Sequence, residues 1–125
     1  MKQIVNPVTV PAPGGAYSQC VRKGHFVFVA GMIGLDENRL LLSEDVARQT
    51  RRALENLRDC LQAAGATLDD VCSVTAFLED ADRDFAAYNA AYKEFFPTDP
   101  PARATVQAHI VGDPVVEIQA IAVID

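Results

Sequence analysis

The segment that most constrains the fold is Val115-Val116-Glu117-Ile118-Gln119-Ala120-Ile121-Ala122-Val123-Ile124, at the end of the 125-residue chain. Its β-branched and apolar content predicts a strand. Side chains alternate across a strand, so Val116, Ile118, Ala120, Ala122 and Ile124 share one face. Val115, Glu117, Gln119, Ile121 and Val123 share the other. Each face is largely apolar. Two segments elsewhere have helical spacing, and two helices can cover only one face of a sheet. The second face must meet something else, and self-association is the economical answer.

Glu117 is the lone charge of that strand. Fourteen residues earlier, Arg103 holds a similar place in Pro100-Pro101-Ala102-Arg103-Ala104-Thr105-Val106. The proline pair bars a continuing helix or a paired central strand. The guanidinium then enters a short apolar run, where an unpaired charge is costly. Two opposite charges in segments that otherwise belong to a core predict a small-molecule site. Arg103 can hold a carboxylate with a bidentate fork. Glu117 beside it can hold or activate a water. The plainer alternative for each residue is a structural ion pair.

The remaining composition narrows the function. A half-hydrophobic chain of this length makes a single domain, residues 1–125, with its own core. A net charge of -6 argues against nucleic acid or an anionic membrane as the main partner. No apolar run is long enough to span a bilayer, and Met1-Lys2-Gln3-Ile4-Val5-Asn6-Pro7 lacks the stretch of a signal peptide, so a cytosolic protein is expected. Cys20, Cys60 and Cys72 are odd in number and widely spaced, which predicts reduced, mostly buried thiols. With only His25 and His109 beside them, no metal site is expected. Gly31-x-x-Gly34 is too short for a nucleotide-binding loop, and no cofactor is expected.

Along the chain, Asn6 to Gly15 reads as an irregular arm. Ala16–Val21 and His25–Gly31 read as a hairpin around the turn Arg22-Lys23-Gly24. A polar turn, Asp36-Glu37-Asn38-Arg39, follows. A helix is predicted from an N-cap near Ser43 to a C′ glycine at Gly65. Val46, Thr50, Ala53, Leu54, Leu57, Cys60, Leu61 and Ala64 form its apolar stripe, and Arg51 and Glu55 are attractive neighbours on its solvated side. Val71–Leu78 reads as a strand. Asp82-Arg83-Asp84 opens a second helix whose apolar face is Phe85, Tyr88, Tyr92 and Phe95, and which ends at Phe96-Pro97. Arg103–Val106 begins another strand. The order β-β-α-β-α-β-β, plus whatever the first residues add, predicts an α+β two-layer sandwich, a mixed sheet with two helices on one face.

Several of these segments resemble the RidA/YjgF family of reactive-intermediate deaminases. Gly15-Ala16-Tyr17-Ser18-Gln19 resembles the family's Gly-Pro-Tyr-Ser-Gln start, and Val29-Ala30-Gly31-Met32-Ile33 its first long strand end. Gln49-Thr50-Arg51-Arg52-Ala53-Leu54-Glu55-Asn56-Leu57 and Asp84-Phe85-Ala86-Ala87-Tyr88-Asn89 resemble its helices. Pro101-Ala102-Arg103-Ala104-Thr105-Val106 and Val116-Glu117-Ile118-Gln119-Ala120-Ile121-Ala122 resemble its last two strands. The resemblance runs from about Val10 to Ile124. It implies a chorismate-mutase-like sandwich that assembles as a homotrimer with clefts between subunits. It also implies hydrolysis of 2-imino acids and their enamine tautomers to 2-keto acids and ammonia, without a cofactor.

By resemblance, Arg103 grips the substrate carboxylate, Glu117 orients and deprotonates water, and Tyr17 closes the site. Main-chain groups at Gly31 and Thr105 bind substrate, and Asn89 is a further binding residue. Ala30, Met32 and Gly34 depart from the Ser, Gln and Pro common in relatives, and Thr105 replaces a frequent Cys. Those departures bear on substrate range. The alternatives are an RNA-directed protein, since relatives have been described as endoribonucleases and translation inhibitors, and a non-catalytic trimer that binds small carboxylates.

Overall fold

The alternation in the final strand is realised across a six-stranded sheet in the computed structural model, which describes residues 1–125. The strands are β1 (Gln3–Val5), β2 (Cys20–Lys23), β3 (Phe26–Met32), β4 (Val71–Leu78), β5 (Ala102–Gln107) and β6 (Val116–Val123). Their order is β1-β2-β3-β6-β4-β5. All neighbours are antiparallel except β4 and β5. A parallel pair needs a crossover, and helix α2 (Ala81–Phe95) supplies it. Helix α1 (Val46–Ala63) links β3 to β4 through a single 3-10 turn, Leu68–Asp70.

The core lies between the helices and one face of the sheet. Val116, Ile118, Ala120 and Ala122 of β6 are buried there, with Val27 and Val29 of β3 and Val74, Ala76 and Leu78 of β4. Every member of the predicted stripe of α1 is buried. Gln49 and Asn56 join it, outside the predicted stripe, because their amides serve loops. The Gln49 side chain donates to the Ser43 carbonyl and accepts from the Val115 amide at 3.0 Å. Asn56 donates to the carbonyls of Ile33 and Leu35, each at 3.2 Å. These two residues tie the β3–α1 loop onto the helix.

The structure corrects several expectations. The N-cap of α1 is Asp45, not Ser43. The Asp45 carboxylate accepts from the Ala47 amide at 2.9 Å, and the Ser43 hydroxyl instead accepts from the Asp45 amide at 3.2 Å. A carboxylate at the positive end of the helix dipole is the better cap. At the other end Gly65 takes φ +89°, as a C′ residue should. The hairpin turn sits further along, at Gly24-His25, with Gly24 at φ +58°. Residues 16–19 are therefore not strand. The extra strand β1 pairs with β2 at the sheet edge. Asp80 caps α2, accepting from the Arg83 amide at 3.0 Å.

On α2, Tyr88, Tyr92 and the following Phe96 are buried, whereas Phe85 is exposed and Phe95 half-buried. The rings of Tyr92 and Phe96 lie 4.8 Å apart, so the aromatic row continues into the residue that caps the helix. Arg51 pairs with Glu94 of α2 at 2.9 Å rather than with Glu55, because the helices lie side by side and a tertiary partner wins. Cys20 and Cys60 are buried, but Cys72 is exposed where the β4–β6 register shifts between Val71 and Ser73.

The other sheet face has no covering layer. Phe26 and Phe28, stacked 6.0 Å apart, are exposed on it, as are Ile121 and Val106. This is the second apolar face foreseen in the final strand.

Candidate active site

Glu117 projects from this free face. Its register partner on β4 is Phe77, which in turn pairs with Val106 of β5. The pairing of β3 with β6 breaks beside it. Val29 faces Ala120 and Met32 faces Ile118, so Ala30 and Gly31 together face Gln119. Such bulges free backbone groups from the ladder and re-aim nearby side chains. Here the Glu117 side chain lies across Gly31. A β-carbon on Gly31 would stand 2.8 Å from Glu117 Cδ, so only glycine lets the carboxylate take this place. Burial raises the Glu117 carboxyl above its ordinary value of 4.5.

The carboxylate lines a cavity of about 600 Å³ between the sheet face and the N-terminal arm, together with Tyr17, Gly31, Ala30 and Arg39. The arm is held in place by polar contacts. The Gln19 side chain is buried and donates to the carbonyls of Val10 (3.1 Å) and Pro11. Its own amide donates to the Asn6 side chain at 3.0 Å. The Tyr17 hydroxyl accepts from the Gly14 amide at 3.2 Å. The ring is half exposed at the cavity mouth.

Arg103 lies elsewhere. It pairs with Val74, and Val74 with the buried Ala120, so it faces the helices. Its guanidinium stands 4.6 Å from the ring centre of Tyr92, 5.3 Å from Tyr88 and 5.9 Å from Phe85. Cation–π attraction holds it against this aromatic row. None of the chain's ion pairs includes it. It borders a second cavity, of about 530 Å³, with Asn89, Tyr92, Lys93 and Pro101. Thr105 lies on the same side, its hydroxyl 2.9 Å from that of Tyr88.

The six residues singled out from the sequence thus fall into two groups. Tyr17, Gly31 and Glu117 share the cavity on the free face. Arg103, Thr105 and Asn89 belong to the helix side. One chain does not bring Glu117 beside Arg103, because side chains alternate and the two residues have opposite parity in the shared register. Arg39, Gln19 and Asn56 also line the first cavity. Arg39 stood out only as part of a polar turn, and Gln19 and Asn56 lie in segments that carry the family resemblance without a role of their own.

No group of three or more His, Cys, Asp or Glu could hold a metal ion. Burial pushes the thiols of Cys20 and Cys60 up to about 11 and about 12, which makes them poor nucleophiles. No helix is long and apolar enough to cross a membrane.

Comparison with known proteins agrees with this architecture. The family model described as Endoribonuclease L-PSP matches residues 8–124. A RutC family protein of Pyrococcus horikoshii is 40% identical over 98% of each chain. The 2-iminobutanoate/2-iminopropanoate deaminase of Salmonella typhimurium is 37% identical, again over 98% of each. The crystal structure of E. coli TdcF with bound serine superposes with a TM-score of 0.92 at 35% identity, covering 98% of this chain and 99% of that one. With nearly its whole length matched in sequence and in fold, the chain belongs to the RidA/YjgF family, whose model carries the endoribonuclease description.

Proposed function

We propose that this protein hydrolyses 2-imino acids and their enamine tautomers to 2-keto acids and ammonia, as a cytosolic homotrimer whose clefts combine two subunits. The observation that carries this reading is the unpaired guanidinium of Arg103, held against three rings beside an open cavity. An acidic protein that keeps a half-buried cation free of its own carboxylates is prepared for a foreign one. The deaminase name of the Salmonella relative and the serine bound to TdcF point the same way.

The reaction asks for three things. The substrate carboxylate must be gripped, a water placed over the imine carbon, and protons moved. Arg103 of one subunit supplies the grip, with Asn89 at the rim of the same cavity. Glu117 of the next subunit takes a proton from water as the oxygen adds to the carbon of the protonated C=N group. The resulting tetrahedral amino alcohol then receives that proton on nitrogen. The C–N bond breaks, ammonia leaves, and the hydroxyl proton passes to the freed Glu117 carboxylate as the C=O bond forms. A buried carboxylate with a raised pKa is a stronger base than an exposed one and so suits this exchange. Tyr17 covers the site, and the bulge at Gly31 offers main-chain groups to the substrate. Thr105 acts through Tyr88, which lies under the guanidinium.

The Endoribonuclease L-PSP description raises RNA as a target. A net charge of -6 counts against the attraction to phosphates that this requires, so the small-molecule reading is preferred. The test is release of 2-ketobutyrate from 2-iminobutyrate, made in situ by an amino-acid oxidase. Wild type accelerates release over the spontaneous rate and Arg103→Ala does not. No acceleration by wild type, with or without keto-acid binding, overturns the catalytic reading.

A further inference from the structure

The first cavity holds a cation that the reaction above does not use. Arg39 is the sole Lys or Arg among its lining residues, as Glu117 is the sole acid. It sits in a closed turn. The Arg39 amide donates to the Asp36 carbonyl at 3.0 Å, and the Asp36 amide donates to the Leu40 carbonyl at 2.9 Å. The Asp36 carboxylate accepts from the amides of Asn38 (2.9 Å) and Leu40 (3.0 Å). At the position of the turn where glycine or asparagine is favoured, Arg39 takes φ +62°. A long side chain held in left-handed backbone is a strained choice, and such strain gathers at functional positions. The side chain then crosses to the arm, where it donates to the Ala12 carbonyl and lies over Gly14.

One hydrogen bond leaves most of the five guanidinium donors free. No carboxylate of the chain pairs with Arg39. Glu117, the one acid of the cavity, is itself in none of the chain's ion pairs. The cavity therefore has a base at one place and an unneutralised cation at another. Its volume, about 600 Å³, lies in the range that encloses drug-sized ligands. A 2-imino acid with a two-carbon side chain fills a small part of it.

We propose that Arg39 is a specificity residue that receives a second carboxylate, at the far end of the substrate side chain, so that the preferred substrates are 2-imino dicarboxylic acids. The proposal rests on the deaminase reading. The substrate lies with its α-carboxylate on Arg103 of the neighbouring subunit and its imine carbon at Glu117. Its side chain runs through the free-face cavity to Arg39. A guanidinium there takes a carboxylate with two parallel hydrogen bonds. It leaves an apolar side chain without a partner, which is how a polar subsite discriminates.

The experiment compares kcat/KM for 2-iminoglutarate and 2-iminobutyrate, each made in situ by an amino-acid oxidase, and reads their ratio. Arg39→Gln is expected to lower the ratio of dicarboxylate to monocarboxylate by about tenfold, mainly through KM. Arg39→Lys keeps part of the ratio, and Arg39→Glu lowers it further than Gln does. A ratio unchanged in Arg39→Gln, or equal losses on the two substrates, overturns the proposal and leaves Arg39 as a tether between turn and arm. If wild type accelerates neither substrate, the deaminase reading itself fails, which is a separate result.

Discussion

Arg103 and Glu117 point to opposite sides of one sheet. Arg103 shares the helix-covered side with Val74 and Ala120, while Glu117 shares the free side with Phe77 and Val106. Two strand spacings, each about 4.8 Å, and the thickness of the sheet separate them. A single small substrate cannot reach the two side chains of one chain. If they act together, they act across a subunit boundary, and the exposed apolar face that carries Glu117 is the surface through which copies would meet.

That face gives the first prediction. Phe28 lies next to Ile121 in register and both are exposed. Phe28→Asp places a charge that association would have to bury unpaired, at a cost of several kcal/mol. We expect light scattering to give the mass of one chain for this variant and three for wild type. Deaminase activity should be lost with the trimer, while the far-ultraviolet circular dichroism of the monomer stays native-like.

Gly31 gives the second. An alanine methyl would sit where the Glu117 carboxylate now lies, 2.8 Å from its Cδ. Gly31→Ala should displace the carboxylate and cost about 1–3 kcal/mol of stability by overpacking. The larger effect is on turnover. kcat should fall roughly 100-fold, the scale of a lost general base, while binding of a keto-acid product weakens far less.

The pH dependence of Glu117 follows from its burial. In the folded chain its carboxyl is raised above 4.5, and unfolding returns it to that value. Between the two values the folded state binds more protons, so this group's effect on stability turns against folding as pH rises through the window. Above the window the penalty is constant. Glu117→Gln removes it, so the variant should gain stability over wild type from acid to neutral pH in urea titrations. In wild type the acid limb of kcat/KM should lie above pH 4.5, because the protonated carboxyl cannot accept from water.

Much of the fold was legible in the sequence because it rests on periodicity. The stripe of α1, the alternation of β6 and the glycine after α1 are local patterns with one physical reading each. The elements that were misplaced depend on competition between neighbours. Asp45 outcompetes Ser43 as a cap, Glu94 outcompetes Glu55 for Arg51, and Phe96 continues an aromatic row that spacing alone ends at Phe95. Arg103 and Glu117 could be named from the string itself, since a charge in an apolar run is visible there, whereas Tyr17, Gly31, Thr105 and Asn89 were named only through the family resemblance. The grouping of the six was not legible, because it depends on the register of β5 against β4 and of β4 against β6. Arg39 was invisible for a different reason. It reaches the cavity through a turn conformation that its residue type does not favour.

The capping correction is itself testable. Asp45→Ala removes the acceptor of the Ala47 amide and a negative charge from the helix N-terminus, and should cost about 1 kcal/mol by urea denaturation. Ser43→Ala should cost less, since its hydroxyl serves the amide before the helix rather than one inside it.

The most direct measurement mixes two inactive variants. Arg103→Ala chains keep Glu117, and Glu117→Gln chains keep Arg103. Unfolded together in equal amounts and refolded, they should form mixed trimers in which some clefts join an intact Arg103 to an intact Glu117 on the neighbouring copy. Random assembly restores about a quarter of the clefts, so activity on 2-iminobutyrate should return to about a quarter of wild type. If mass spectrometry shows mixed trimers and activity stays at the level of the separate variants, the two residues do not meet across a subunit boundary, and the account of the site is wrong.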